Sequence, residues 1–298
     1  MAKRVLIAGA SGLVGSRLSE FLTSQGYEVL TLVRRTAKNS NQIEWDPVAQ
    51  RIDATNLKDI FAVINLSGAS IAKGRWTKSR KEELWQSRIP LTKFLVDSVS
   101  SIPSPPKVFI SVSGVGVYRN SGDRILTESS ATGSGFLAEL AMAWEGEALK
   151  ASSFAKVIVL RIGTVISKDG GALKAMLPPF RFGVGGRLAS GKQYMSWIHI
   201  EDLIRLFQFA IENEALSGTI NAVSPEPVTN AEFSKKLAKT LHRPAIFPVP
   251  KFLLKIVLGE MSDILLDSIR AEPAVLLKSG FTYNYTKIEQ AFQRELSV

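Results

Sequence analysis

Gly9, Gly12 and Gly15 stand three residues apart in the stretch GASGLVG, directly after the apolar run VLIA. Residues without side chains let backbone N–H groups close on an anion, and a helix beginning there adds the partial positive charge of its N-terminus. The spacing G-x-x-G-x-x-G is a slightly longer variant of the G-x-G-x-x-G turn that grips a dinucleotide pyrophosphate. Gly9, Ser11, Gly12, Leu13, Val14 and Gly15 are therefore candidate cofactor contacts, the alternative being a plain glycine turn. A second cue follows in TLVRRT, where Arg34 and Arg35 close the next β-rich run with no acid beside them. An acid there would take the ribose hydroxyls of NAD, whereas arginine accommodates the 2′-phosphate of NADP. Arginines at strand ends are often merely solvated, yet the missing acid weighs as much as the bases present. The reading is NADP.

Composition narrows the chemistry further. The 298 residues include no cysteine and only two histidines, His199 and His242, far apart in sequence. Disulfides, thiolate nucleophiles and cysteine metal sites are excluded, and no histidine spacing supports a metal. No apolar run approaches the ~18 residues of a membrane span. The N-terminal MAKRVLIAGASG ends its short apolar stretch in glycines, without a cleavage pattern. A cytoplasmic protein with no membrane partner is expected. Net charge is +10. Lysines and arginines read as scattered, and their densest run, Lys73 to Arg88, also holds Glu82 and Glu83. With no nucleic-acid-binding motif, a phosphate-bearing small ligand explains the excess, and no nucleic-acid partner is expected.

These residues need a scaffold to bring them together. KRVLIAG (3–9), YEVLTLVR (27–34), FAVINLSG (61–68), KVFISVSG (107–114) and KVIVLRIG (156–163) read as short strands. Helical patterns lie between them: LVGSRLSEFLTSQG, a long stretch over 77–101 that Pro90 kinks or restarts, and FLAELAMAWE (136–145). In the last, Phe136, Leu137, Leu140, Ala141 and Trp144 fall at helical spacing. Such alternation predicts an α/β fold, a doubly wound parallel sheet of Rossmann type. After Gly163 the texture changes. GGALKAMLPPFRFGVGG (170–186) reads as a mobile loop around a short helix, HIEDLIRLFQFAIEN as an amphipathic helix, GTINAV (218–223) as a strand, and the remainder as helical pieces. The expected organisation is a nucleotide-binding domain over 1–165 and a smaller, mostly helical lobe over 166–298, with residues 197–223 returning to the sheet.

RW (75–76), SR (87–88), SVSGVGVY (111–118), LRIGTVIS (160–167), GGAL (170–173), WIHIEDL (197–203) and LGE (258–260) occur in this order along essentially the whole chain. With the glycine turn, they resemble one atypical branch of the extended short-chain dehydrogenases/reductases. That branch is the epimerase-like, NADP-binding family with a small C-terminal domain. Its members are usually called nucleoside-diphosphate-sugar epimerases, and some carry a cell-division-inhibitor label. The resemblance implies a cofactor path along the strand ends. Arg34 would meet the 2′-phosphate, and Leu66, Ser67 and Gly68 would run beside the adenosine half. Glu83 and Arg88 would reach in from the next crossover, sharing a face only if their helix is irregular; the alternative is a surface ion pair. The turn from Gly163 to Val165 would touch the nicotinamide end. The implied partner is a small-molecule substrate, anionic or nucleotide-linked.

In that superfamily a tyrosine, with a lysine four residues later, lies on a helix beside the nicotinamide. The lysine lowers the tyrosine pKa, the tyrosine moves a proton, and a serine binds the substrate oxygen. With Glu145 in the place of the glutamate that commonly follows the lysine, the two positions fall on Leu137 and Ala141. Residues 129–149 contain neither tyrosine nor lysine. The serine position, four before Tyr118, falls on Gly114, leaving Ser111 and Ser113 out of register. Tyr118, Ser113 and His199 are the candidate substitutes. The alternative for Tyr118 is packing, and for His199 a structural strand-to-helix turn, in which Asp202 would start the helix. Glu128 is a further acid–base candidate, and Lys168, Lys174 and Arg181 could bind an anionic substrate. Two functions remain: an NADP-dependent oxidoreductase or epimerase with a relocated relay, or a protein that senses NADP(H) without turnover.

Overall fold

Branched apolar runs bounded by turns set the strands, and amphipathic runs between them set the helices. A computed structural model describes residues 2–297. In chain order the elements begin with β1 (Arg4–Ala8), α1 (Leu13–Ser24), β2 (Glu28–Val33), β3 (Gln42–Asp46), β4 (Arg51–Ile52) and β5 (Ile60–Asn65). Then come α2 (Lys78–Gln86), α3 (Ile89–Ser100), β6 (Val108–Gly114), β7 (Ile125–Leu126), α4 (Phe136–Leu149), β8 (Lys156–Ile162) and β9 (Thr164–Ile166). The C-terminal part holds α5 (Gly171–Arg181), β10 (Tyr194–Met195), β11 (Trp197–His199), α6 (Ile200–Glu212), β12 (Gly218–Ala222), β13 (Val228–Thr229) and α7 (Asn230–Thr240). It ends with α8 (Lys251–Leu258), α9 (Asp263–Leu266), β14 (Arg270–Ala271), α10 (Ala274–Ser279) and α11 (Ile288–Leu296).

The main sheet has eight strands in the order β12-β8-β6-β5-β1-β2-β3-β4. Every pairing is parallel except β3 with β4. Alternate residues of each strand face opposite layers. Val5, Ile7, Ile64 and Ile110 pack with Leu18 of α1 and Leu203 and Phe207 of α6. Leu6, Val63, Phe109 and Val159 pack with Leu95 and Val99 of α3 and Ala148 of α4. This is the doubly wound α/β fold that the alternation predicts. From β1 the chain steps one way to β2, while β5 lies on its other side, so the topological switch point falls between β1 and β5. In doubly wound sheets ligands bind at such a point, beyond the carboxyl ends of the strands.

The structure sharpens three local readings. The long stretch over 77–101 is two helices: Ser87 ends α2, and Arg88, at φ −123° and ψ −62°, stands outside helical geometry before Pro90 enters the first turn of α3. The short helix expected within 170–186 is α5, eleven residues long with Pro178 and Pro179 inside it, and its Leu173, Leu177 and Phe180 pack with Phe233 of α7 and Phe292 of α11. The strands β3 and β4 escaped the sequence reading because QIEWD is short and half polar. After α5 the chain places α6 beside α1 and adds β12 to the sheet edge beside β8. Among the described residues no helix is long and apolar enough to cross a membrane.

Candidate functional site

The glycine turn occupies the switch point. Gly9 has φ +83°, and a Cβ there would stand 2.7 Å from the Leu66 carbonyl oxygen, so β1 and β5 approach too closely for a side chain. A Cβ on Gly15 would lie 2.7 Å from Ala10 Cα. Gly12 caps α1, and a Cβ on it would meet only the Gly9 oxygen, at 3.5 Å, so the space ahead of the helix is open. No acid occupies the first turn of α1, which leaves the partial charge of the helix start uncompensated. Ser11 is exposed, Val14 leans on the core, and Leu13 packs against Gly170 at the start of α5.

At the end of β2 the two arginines differ. Arg35 donates to the Thr36 carbonyl at 3.1 Å and to Gln42 Oε1 at 3.3 Å. Arg34 is exposed and has no hydrogen-bond or ion-pair partner among the described residues. Beyond β5, the Leu66 N–H donates to the Ala8 carbonyl at 2.9 Å, and the buried Ser67 Oγ has no partner. Arg88 is buried beside this loop. Its guanidinium donates to the carbonyls of Ala69 (2.9 Å) and Leu84 (3.2 Å) and to Ser87 Oγ (3.2 Å), and it stacks over the Trp144 ring at 4.9 Å. A Cβ on Gly68 would come within 2.9 Å of Arg88 Cζ. No carboxylate pairs with it among the described residues. Burial, with Arg80 nearby, pushes its pKa down to about 10. A buried cation without a counter-ion is costly, and an anion arriving at Gly68 would relieve it.

Glu83 does not join Arg88. It is exposed and pairs with Arg80, whose guanidinium also holds the Ser70 carbonyl. The break at Ser87 turns Arg88 inward and leaves Glu83 on the outer surface of α2. Val165 lies in β9, paired with Ile198 of β11, half-buried against the core.

The three proton-transfer candidates are all buried. Tyr118 is buried, with its hydroxyl 2.8 Å from Asn221 Oδ1 and 3.0 Å from both the Thr127 carbonyl and Arg161 Nη1. Burial pushes its phenol pKa up against the pull of Arg161, and its hydroxyl is engaged by all three of these partners. Arg161 in turn holds Glu145 in a buried bidentate pair at 2.9 and 2.7 Å. His199 is fully buried: Nε2 is hydrogen-bonded to Glu295 at 3.1 Å, Nδ1 accepts the Glu201 N–H at 3.3 Å, and the ring stacks on Tyr285. It caps α6, the role assigned in the sequence reading to Asp202. Asp202 instead accepts the N–H groups of Asn284 and Tyr285, both at 2.9 Å. Ser113 is buried at the end of β6, its Oγ unpartnered.

The relay positions on α4 are filled with hydrocarbon. Leu137 packs onto Gly116, where a Cβ would meet its Cδ2 at 2.7 Å, and Ala141 packs with Val115, Val117 and Tyr118. Glu128 binds the N–H groups of Asn221 and Val275 at 3.1 and 3.2 Å. Lys168 contributes its N–H to Glu295, Lys174 reaches the Asp169 carbonyl, and Arg181 is exposed at the end of α5. The Arg161–Glu145 pair was missed in sequence, although an arginine inside the apolar strand KVIVLRI signals a buried partner.

An open Rossmann sheet with a glycine turn at its switch point defines a dinucleotide-binding type of fold. Residues 5–222 match the NAD dependent epimerase/dehydratase family, and the chain belongs to it; residues 249–295 match a domain of unknown function, DUF1731. An epimerase family protein of Mycobacterium leprae is 40% identical over 289 residues, covering 96% of this chain and 94% of its own. The crystal structure of human epimerase family protein SDR39U1 (isoform 2) with NADPH superposes at TM-score 0.91 with 32% identity, covering 98% of both chains. A nucleoside-diphosphate sugar epimerase from Corynebacterium glutamicum superposes at TM-score 0.81 with 33% identity, over 99% of this chain and 58% of that one.

Proposed function

We propose that this chain is an NADP(H)-dependent, epimerase-like oxidoreductase that acts on an anionic or nucleotide-linked small molecule without a tyrosine–lysine relay. The observation that carries the reading is the open glycine turn flanked by an unpaired Arg34 on one side and an unpaired, buried Arg88 on the other. The NADPH held by human SDR39U1, similar along its whole length, supports the choice of coenzyme.

The residues fit that group. The turn from Gly9 to Gly15, with Ser11, Leu13 and Val14, would present backbone N–H groups to the pyrophosphate. Arg34 would take the 2′-phosphate, Leu66, Ser67 and Gly68 would line the path from β5, and Arg88 would neutralise negative charge beside Gly68. When bound, the coenzyme supplies hydride chemistry. Leu137 and Ala141 exclude water from the α4 side, and neither can hold a proton. Ser113 Oγ at the end of β6 and Ser67 Oγ just beyond β5 are both buried and unpartnered among the described residues. The proton would pass through Ser113 Oγ, water or the substrate itself.

A second reading, a sensor of NADP(H) without turnover, is favoured by the same apolar filling and by the fully engaged hydroxyl of Tyr118 and imidazole of His199. Calorimetry on ligand-stripped protein with NADPH and NADH, followed by absorbance of NADPH across carbonyl and sugar-nucleotide compounds, separates them. Oxidation supports the enzyme, and saturable binding without oxidation supports the sensor. No heat with either coenzyme defeats both.

A further inference from the structure

The net charge of +10 is not scattered. Residues 170–200 and 233–259 together carry ten Lys and Arg and no Asp or Glu, and the rest of the chain is balanced at 27 of each sign. The fold joins these two acid-free segments. The N–H of Val249 donates to the Arg187 carbonyl at 2.9 Å, Ala189 N–H donates to the Val249 carbonyl at 2.8 Å, and Arg243 Nε donates to the Arg181 carbonyl at 3.0 Å.

The same two segments expose large apolar side chains. Phe182 is 83% exposed, Ile246 69%, and Phe252 and Ile256 66% each, with Phe247 and Val257 more than half exposed. Helix α8, KFLLKIVL, buries only Leu254 and has Lys251 and Lys255 as its only polar residues. In the segment that leads into it, Ile246 and Pro248 line a cleft of about 570 Å³ together with Arg187, Lys235, Lys239 and Arg243, and with no acid. Exposed apolar surface of this extent marks an interaction site.

We infer that this face of α5, α7 and α8 docks on the surface of an anionic phospholipid bilayer. Charge complementarity names the occupant. Basic residues around protruding Phe, Ile and Val side chains are the composition of an interfacial helix that buries its apolar side among lipid head groups, and each cation near an anionic leaflet adds attraction. A nucleic acid would use the cations and leave the aliphatic side chains in water. The cleft offers lipid phosphates cations over an apolar wall. The absence of a spanning helix has no bearing on docking of this kind, and the inference is independent of the coenzyme reading.

Vesicle flotation of the full chain tests it, with phosphatidylcholine alone and with added phosphatidylglycerol. Flotation is expected only with the anionic vesicles, and weakening as salt is raised. The double variant Phe252→Asp, Ile256→Asp should bind them about tenfold or more weakly, with an unchanged thermal midpoint and unchanged NADPH binding. Three outcomes overturn the inference: no flotation with anionic vesicles at low salt, equal flotation by the variant, or tighter binding to duplex DNA than to vesicles. A dimer that the variant converts to monomer, with no vesicle binding by either, would reassign the face to a second copy of this chain.

Discussion

Leu137 rests on Gly116: a methyl group at position 116 would stand 2.7 Å from Leu137 Cδ2. The position that the sequence resemblance matches to the relay tyrosine thus holds an aliphatic side chain seated on a glycine. Gly116→Ala must displace Leu137 and should destabilise by about 1–2 kcal/mol, and much less in a Leu137→Ala background. A double-mutant cycle by urea unfolding checks this; additive costs would mean the two residues do not compete for the space.

The glycine turn should tolerate no side chain at Gly15, because the atoms a Cβ would meet are backbone atoms of Gly9 and Ala10. Gly15→Ala is expected to cost about 1–3 kcal/mol and to weaken NADPH binding at least about tenfold. Thermal unfolding and calorimetry read the two effects separately, and an unchanged affinity would place the coenzyme elsewhere.

Arg34 is the coenzyme selector on this account, and Arg35 is not. Arg34→Ala should weaken NADPH binding about tenfold or more, as expected for losing a charged hydrogen bond, and leave NADH binding unchanged. Arg35, already engaged with Thr36 and Gln42, should give a smaller effect. An NADPH-to-NADH ratio equal in Arg34→Ala and parent removes the assignment.

Tyr118 and Glu145 belong to one buried network through Arg161. Glu145→Gln leaves a guanidinium buried without its counter-charge and should cost about 3–5 kcal/mol. Tyr118→Phe should cost about 1–2 kcal/mol with coenzyme affinity intact. Loss of turnover in Tyr118→Phe at unchanged stability would restore Tyr118 as a catalytic residue.

Glu295 links stability to acid. Burial raises its carboxyl pKa, but the hydrogen bonds from His199 and the Lys168 N–H outweigh burial and hold it below the ordinary value of 4.5. A carboxyl depressed by folding contributes stability above its unfolded pKa and loses it as pH falls through the folded one. Glu295→Gln should therefore be less stable than the parent by about 1 kcal/mol near neutrality, with the gap closing below about pH 4.5. Urea unfolding across that range checks it, and a gap independent of pH contradicts the assignment.

The scaffold was legible because its signals are local. Apolar runs such as VLIA and FAVIN, glycines at 9, 12 and 15, and arginine without an acid after TLV each act within a few residues. The missing relay was equally legible, since no arrangement of residues 129–149 supplies a tyrosine or a lysine. Glu83 and Arg88 were harder. Whether they share a face depends on the break at Ser87, which Pro90 allows but does not locate.

What the sequence determined by itself was the class of fold, the glycine turn and the absence of the usual proton relay, because backbone geometry and missing functional groups are properties of neighbouring residues. Only the tertiary structure decided that the hydroxyl of Tyr118 and the imidazole of His199 are already engaged, by partners 43 and 96 residues away. It alone left Arg88 buried without a carboxylate among the described residues and joined two acid-free segments by hydrogen bonds. Burial, pairing and charge density depend on distances in space, and those follow from how the whole chain packs.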